Sequence, residues 1–117
     1  MDPPAWATTI IADQLHAVEP YGVHWSRAPW WEPFSSGSWM DAQDLWVALI
    51  TVEAGWWELD QRRVLLHEIA HALTPGVHSP AWWELAKSYY RLFRIPWLLV
   101  AVTEGVGRLR RWRSGKP

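Results

Sequence analysis

Residues 64–73 read Val64-Leu65-Leu66-His67-Glu68-Ile69-Ala70-His71-Ala72-Leu73, and Thr74-Pro75-Gly76 follows them. Outside the stripe of His67, Glu68 and His71, the segment is apolar nearly all round. That pattern predicts a central helix packed on several sides. Asp60 reads as its N-cap and Pro75-Gly76 as its stop, which bounds the helix at Asp60 to Leu73. Four residues advance a helix by about 400°, so His67 and His71 share a face one turn apart. Two imidazoles so placed can hold one metal ion. Glu68, about 100° further round, can reach a water on that ion. With five His and seven Glu in 117 positions, this His-Glu-x-x-His pattern arises by accident in roughly one such chain in a hundred. A helix this apolar also buries part of its polar stripe, and a metal would satisfy groups that are otherwise costly to bury.

A catalytic metal site needs a third protein ligand and an open position. His78 comes seven residues after His71, just past the proline-glycine turn and beside Ser79-Pro80. A chain that turns there brings His78 back over the His67/His71 face. Glu84, thirteen residues past His71, is the rival third ligand. His16 and His24 read as surface or satisfied core residues.

Outward from this centre the chain organises simply. Ser79-Pro80 reads as N-cap and first-turn proline of a helix to about Phe93, with Trp82, Leu85, Ala86, Tyr89 and Phe93 as its inner stripe. Pro96 opens a last helix, weakened by Gly105 and Gly107. Upstream, Leu45 to Val52 is the strongest strand signal, and Ser38 to Met40 can pair with it. Ala28 to Ser38, rich in proline and serine, reads as a loop. Tyr21 to Arg27 alternates like a strand. Ala5 to Val18 carries apolar residues at Ala7, Ile11, Leu15 and Val18, the pattern of an amphipathic helix. The order predicts a small α+β domain: an N-terminal helix, a short two- to three-stranded sheet, the central His-Glu-x-x-His helix, then one or two C-terminal helices. We place that single domain at residues 1–107 and a basic tail at 108–117.

Composition narrows the chemistry. The chain has no cysteine, which excludes disulfides, thiolate zinc sites, iron–sulfur clusters and a cysteine nucleophile. Half the residues are hydrophobic and the net charge is −1, so the chain is globular and carries no global field toward nucleic acid. The longest apolar run near the C-terminus, Ile95 to Val102, is far short of the roughly twenty residues of a membrane span. The N-terminus lacks the features of a signal peptide, and the expected location is the cytoplasm. The 12 tryptophans are expected mostly in the core or on half-buried surface. The tail holds Arg108, Arg110, Arg111, Arg113 and Lys116 with no acid. It reads as a solvated terminus, with an electrostatic arm for nucleic acid or acidic lipid as the alternative.

The stretch from His67 to His71, the proline-glycine turn and His78-Ser-Pro-Ala-Trp-Trp resemble the zincin metallopeptidases of the SprT-like kind, above all their short metallohydrolase relatives from actinobacteria and phages. The resemblance covers residues 45 to 93. It implies a zincin-like fold, Zn2+ on His67, His71 and His78, and Glu68 as the catalytic glutamate. Ser79 stands where glycine is usual and Trp82 where phenylalanine is usual. The metzincin pattern does not match, because Thr74 and Val77 occupy its glycine and third-histidine positions. The implied activity is peptide hydrolysis: zinc lowers the pKa of a water and Glu68 removes its proton. The oxyanion calls for a tyrosine or an arginine, and Tyr89 and Tyr90 are the nearest candidates by sequence, although Tyr89 is on the core stripe. If Leu45 to Val52 is a sheet edge, it could take an extended peptide substrate. Two other functions fit the same residues. One is a non-catalytic zinc-stabilised interaction or nucleic-acid-binding domain, and the other is a hydrolase of a non-peptide bond.

Overall fold

The computed structural model describes residues 2–16, 21–40, 48–74 and 78–104. Its elements in chain order are α1 (Ala5–Leu15), β1 (Tyr21–Arg27), β2 (Ser36–Met40), β3 (Ala48–Ala54), α2 (Glu58–Leu73) and α3 (Pro80–Leu92). A fourth helical segment covers 97–104. The architecture is α+β, as the residue pattern predicts. No helix among the described residues is long and apolar enough to cross a membrane.

The core is built around α2. Leu65, Leu66, Ile69 and Ala70 are fully buried, because α2 touches α1, α3, β2 and β3 at once. Truncating any of the three large ones to alanine would cost about 2–5 kcal/mol by the usual cavity rule. β3 presents Ile50, Val52 and Ala54 to this core, while Glu53 between them is exposed. That is the period-two alternation of a strand covered on one face.

The sheet order is β1-β3-β2. β1 runs parallel to β3, with Trp25 opposite Val52, and β2 runs antiparallel, with Trp39 opposite Ile50. The strand expected as a possible edge is therefore central. β2 takes the edge, since its other side has no strand partner among the described residues. The expected pairing of Ser38–Met40 with the apolar strand holds, but β2 begins two residues earlier. Ser36 and Gly37 belong to it rather than to the loop. A Cβ on Gly37 would stand 2.7 Å from Val64 Cγ1 and 3.1 Å from Glu68 Cγ. Glycine is there because β2 passes directly against α2, not because the chain turns.

The loop from β1 to β2 is tied down along its length. Ala28 N donates to Ala54 O at 2.9 Å, Trp56 N to Glu32 O at 2.9 Å and Trp57 N to Pro33 O at 3.2 Å. Gly55 N donates to Ser35 Oγ at 2.8 Å. A Cβ on Gly55 would lie 2.4 Å from Phe34 O, so this crossing requires glycine.

Two helix boundaries differ from expectation. α1 ends at Leu15, with His16 as its C-cap, and Val18 lies outside the described residues. α2 starts two residues earlier than expected, with Trp57 at the N-cap position. Asp60 is inside the first turn and fully buried. Its Oδ2 accepts from Ser35 N at 2.6 Å and its Oδ1 from Arg63 Nε at 2.7 Å. A side chain read as a cap is instead the centre of a buried polar knot, favoured there by the positive end of α2.

α3 follows expectation. Ser79 Oγ accepts from Trp82 N at 3.2 Å, a cap of about 1 kcal/mol, and Pro80 occupies the first helical position. Its C-terminus closes through Arg94, whose φ is 57°. Ile95 N donates to Tyr90 O at 2.8 Å and Arg94 N to Arg91 O at 3.2 Å. This left-handed cap reverses the chain and sends 97–104 back toward the middle of α2. Most of the described tryptophans are in the core or half-buried, as expected, with Trp6, Trp39, Trp57 and Trp83 half-buried against the core. Trp46 and Trp112 lie outside the described residues. Trp25 and Trp82 are buried, whereas Trp30, Trp31, Trp56 and Trp97 are exposed.

Candidate metal centre

His67 and His71 project from one face of α2, as their spacing requires. His78 enters from the segment joining α2 to α3. The Nε2 atoms of His71 and His67 are 3.2 Å apart, and those of His78 and His67 are 3.3 Å apart. All three ligand atoms lie within 4.8 Å of one another. Donors about 2.0–2.1 Å from a tetrahedral zinc stand roughly 3.3–3.4 Å from each other, and the two spacings to His67 Nε2 match that value, so the three histidines lie close enough to hold a metal ion. His78 reaches the group with φ at 51°. That is a left-handed conformation uncommon for a side-chain-bearing residue, and one concentrated at functional sites. Pro75, Gly76 and Val77, the expected turn, lie outside the described residues.

The protonation logic also points to a cation. His67 Nδ1 is 2.7 Å from Glu104 Oε1. A carboxylate there accepts the ring proton of Nδ1, so in the neutral ring His67 Nε2 presents a lone pair. One lone pair cannot accept two hydrogen bonds in line from His71 and His78, but a cation at the convergence point satisfies all three nitrogens. The pKa of His71 is lowered to about 4 by burial, reinforced by His67 and His78 and opposed by Glu104. The ring is therefore held in the neutral form that metal ligation requires. Its indole neighbours enforce that burial. Trp82 stacks on it at 5.1 Å between centroids, and Trp39 lies nearly parallel at 6.2 Å. Trp82 Nε1 also donates to His67 O at 3.2 Å.

The depressed His71 has a consequence for the metal-free protein. Unfolded histidine titrates near 6.5, so between about pH 6.5 and 4 the unfolded chain binds the extra proton. Stability then falls as pH drops through that window. Metal-free wild type is expected to lose more thermal stability between pH 7 and 4.5 than metal-free His71→Asn. Equal pH slopes in a melting series would contradict this account of His71.

Glu68 is 5 % exposed, and its Oε1 lies 3.9 Å from His67 Nε2. Burial raises its pKa, against the lowering pull of His67 and Arg63. It stands beside the three imidazoles without joining their donor group. A cleft of about 310 Å³ is lined by His67, Glu68 and His78, together with Ser35, Ser36, Gly37, Thr103 and Glu104. A larger cleft of about 480 Å³ lies between Trp25, Trp30 and Trp56, and none of the three histidines lines it.

The other candidates are placed as follows. Glu84 is on the exposed side of α3 and pairs with Lys87 at 2.9 Å, outside the histidine group. His16 Nδ1 contacts Asp13 O at 2.8 Å, and His24 is an exposed residue of β1. Tyr89 donates its hydroxyl to Gln14 Oε1 of α1 at 2.8 Å, which turns it away from the histidines. Tyr90 is at the site but donates to Glu104 Oε1 at 2.8 Å. Its pKa is raised by burial and by that carboxylate, so it remains a neutral donor. The basic tail at 108–117 lies outside the described residues.

Sequence reasoning missed two participants. Arg63 is buried and links Asp60 to Glu104, whose Oε1 is 3.8 Å from Arg63 Nη1. Glu104 itself comes from the last helical segment. Burial raises its pKa, but hydrogen bonds from His67 and Tyr90 and the charges of His67 and Arg63 outweigh that, so the carboxylate is held below its ordinary range. A helical residue spaced four from His67, as Arg63 is, can be predicted to share its face. Nothing in the pattern around Glu104 marks it. Set against models of known families, curated proteins and solved structures, the chain has no match.

Proposed function

We propose that this protein is a zinc-dependent hydrolase, and that its substrates are peptide bonds, as in the minimal zincins of SprT-like type. The observation that carries the reading is the convergence of three imidazole nitrogens beside a buried carboxylate that is not one of them, with His67, Glu68 and His78 lining an open cleft. A site serving stability alone needs no base and ordinarily closes with a fourth protein ligand.

When bound, Zn2+ would supply Lewis acidity and bring the pKa of a water toward about 7. His67, His71 and His78 would hold it as neutral donors. Glu68 accepts the proton of the attacking water and returns it to the leaving amine. Its raised pKa suits a group that must both take and give a proton near neutral pH. Trp82 and Trp39 exclude water from the His71 side. β2 is the strand edge nearest the base, and Ser36 and Gly37 line the cleft. An extended peptide laid along β2 would be held by backbone hydrogen bonds, with its carbonyl brought over Glu68. Of the tyrosines, Tyr90 supports Glu104 rather than an oxyanion in this arrangement. The exposed Trp30, Trp31 and Trp56 favour a partner-binding surface as well, which is the one observation on the side of a non-catalytic role.

The test is a panel of unstructured peptides and simple esters, incubated with zinc-loaded protein with and without chelator. Chelator-sensitive peptide cleavage, restored by zinc, is expected. Ester cleavage alone would redirect the reading to a non-peptide bond, and an inert panel would favour the binding domain.

A further inference from the structure

Glu104 lies 37 residues from His67 in sequence, yet its Oε1 is 2.7 Å from His67 Nδ1. The same oxygen accepts from Tyr90 Oη at 2.8 Å and faces Arg63 Nη1 at 3.8 Å. Three donors from two other helices thus converge on one carboxylate oxygen. Arg63 is in turn fixed by Asp60 at 2.7 Å, and Asp60 by Ser35 N at 2.6 Å. This chain of contacts runs from the loop before β2, through the first turns of α2, to the back of a candidate ligand.

We propose that Glu104 is the positioning carboxylate of the metal centre. It holds His67 in the tautomer that carries hydrogen on Nδ1, so that Nε2 faces the convergence point as a lone-pair donor. The assignment rests on the metal-centre reading above and extends it to the last helical segment, which becomes part of the site rather than an appendage. A ligating imidazole ordinarily donates its other N–H to a carboxylate or carbonyl, and losing that partner weakens metal binding about 10–100-fold. Tyr90 and Arg63 supply what such a carboxylate needs in a buried place. Each satisfies it from a direction other than His67, so it neither protonates nor swings into the metal's open position. Because Tyr90 donates to the oxygen that His67 touches, Glu104→Gln must keep an oxygen there. That variant retains the tautomer but loses the charge.

The experiment uses the full chain as wild type, Glu104→Gln, Glu104→Ala and Tyr90→Phe. Zn2+ is titrated into metal-free protein against a chromophoric chelator. Histidine-labelled, metal-free samples are read by nitrogen NMR for the protonated ring position of His67. The expected result is one zinc in wild type, a loss of about 10–100-fold in Glu104→Ala, and a smaller loss in Glu104→Gln. Tyr90→Phe should move in the same direction by less. His67 should carry its proton on Nδ1 in wild type and Glu104→Gln, and lose that preference in Glu104→Ala. A merely structural Glu104 would change melting temperature without changing the tautomer.

A folded Glu104→Ala protein with zinc affinity within about threefold of wild type, well short of the usual loss, overturns the proposal, as does a wild-type His67 protonated on Nε2. If Glu104→Ala does not fold, Glu104→Gln and Tyr90→Phe decide, and wild-type affinity in both overturns it. Wild type that takes up no zinc overturns the metal centre and this assignment together. One zinc in wild type beside an unaffected alanine variant overturns this assignment alone.

Discussion

Glu68→Gln should retain zinc and lose about 10²–10⁴-fold in peptide hydrolysis, the usual contribution of a positioned proton acceptor. The three converging nitrogens belong to His67, His71 and His78, and Glu68 is outside that group, so the donor set survives. Glutamine keeps the shape of the side chain against Gly37, where β2 and α2 touch. It cannot take a proton from water. The fold should tolerate the change. Glu68 is buried with a raised pKa, which means that its charge is already unfavourable there, and neutralising it removes that penalty while giving up only the attraction of His67 and Arg63. The check is turnover and zinc stoichiometry on the same sample. Turnover within threefold of wild type would mean that another group moves the proton.

The largest effect on stability is expected at Asp60. Its side chain is fully buried and is the acceptor for both Ser35 N and Arg63 Nε. Among the described residues, Asp60→Ala leaves a buried guanidinium with only the more distant Glu104, and leaves a buried backbone N–H unmet. Removing one partner of a buried ion pair costs about 3–5 kcal/mol. The unmet N–H belongs to the same network, so its cost is not simply added. Set against a total stability of about 5–15 kcal/mol, this brings the domain close to unfolding. Asp60→Asn keeps the oxygen that accepts from Ser35 and should lose less. Urea denaturation of the metal-free proteins measures both. A loss under 1 kcal/mol in Asp60→Ala would show that water or a rearranged Arg63 replaces the carboxylate.

These two residues also show what was legible in the sequence. The His67-Glu68-x-x-His71 stripe could be read because helical periodicity is local, and four residues always return to the same face. His78 could be read because proline followed by glycine in the sequence signals a turn, and a short connection after it has few directions. The three histidines that lie together thus come from one stretch of twelve residues. Asp60 was visible as a helix-start residue, but cap and buried ligand share one side-chain chemistry. Which role wins depends on Ser35, 25 residues away. Ser36 and Gly37 looked like loop for the same reason. Small polar residues permit a turn, and equally they permit a strand to lie against a helix. The sheet order was hidden, because pattern identifies strands without saying which is central. Glu104 was hidden most completely. A single glutamate near the end of a weakly patterned helix acquires meaning only when the left-handed turn at Arg94 folds that helix back onto α2.

The central claim is a three-histidine metal centre, and the most direct measurement of it is zinc content per folded chain. Wild type and His78→Ala would be stripped with chelator, offered zinc, desalted and weighed by native mass spectrometry. One zinc on wild type and severe loss from His78→Ala are expected, with both proteins folded. A wild-type chain that keeps no zinc, or a His78→Ala chain that keeps it equally well, would contradict the account.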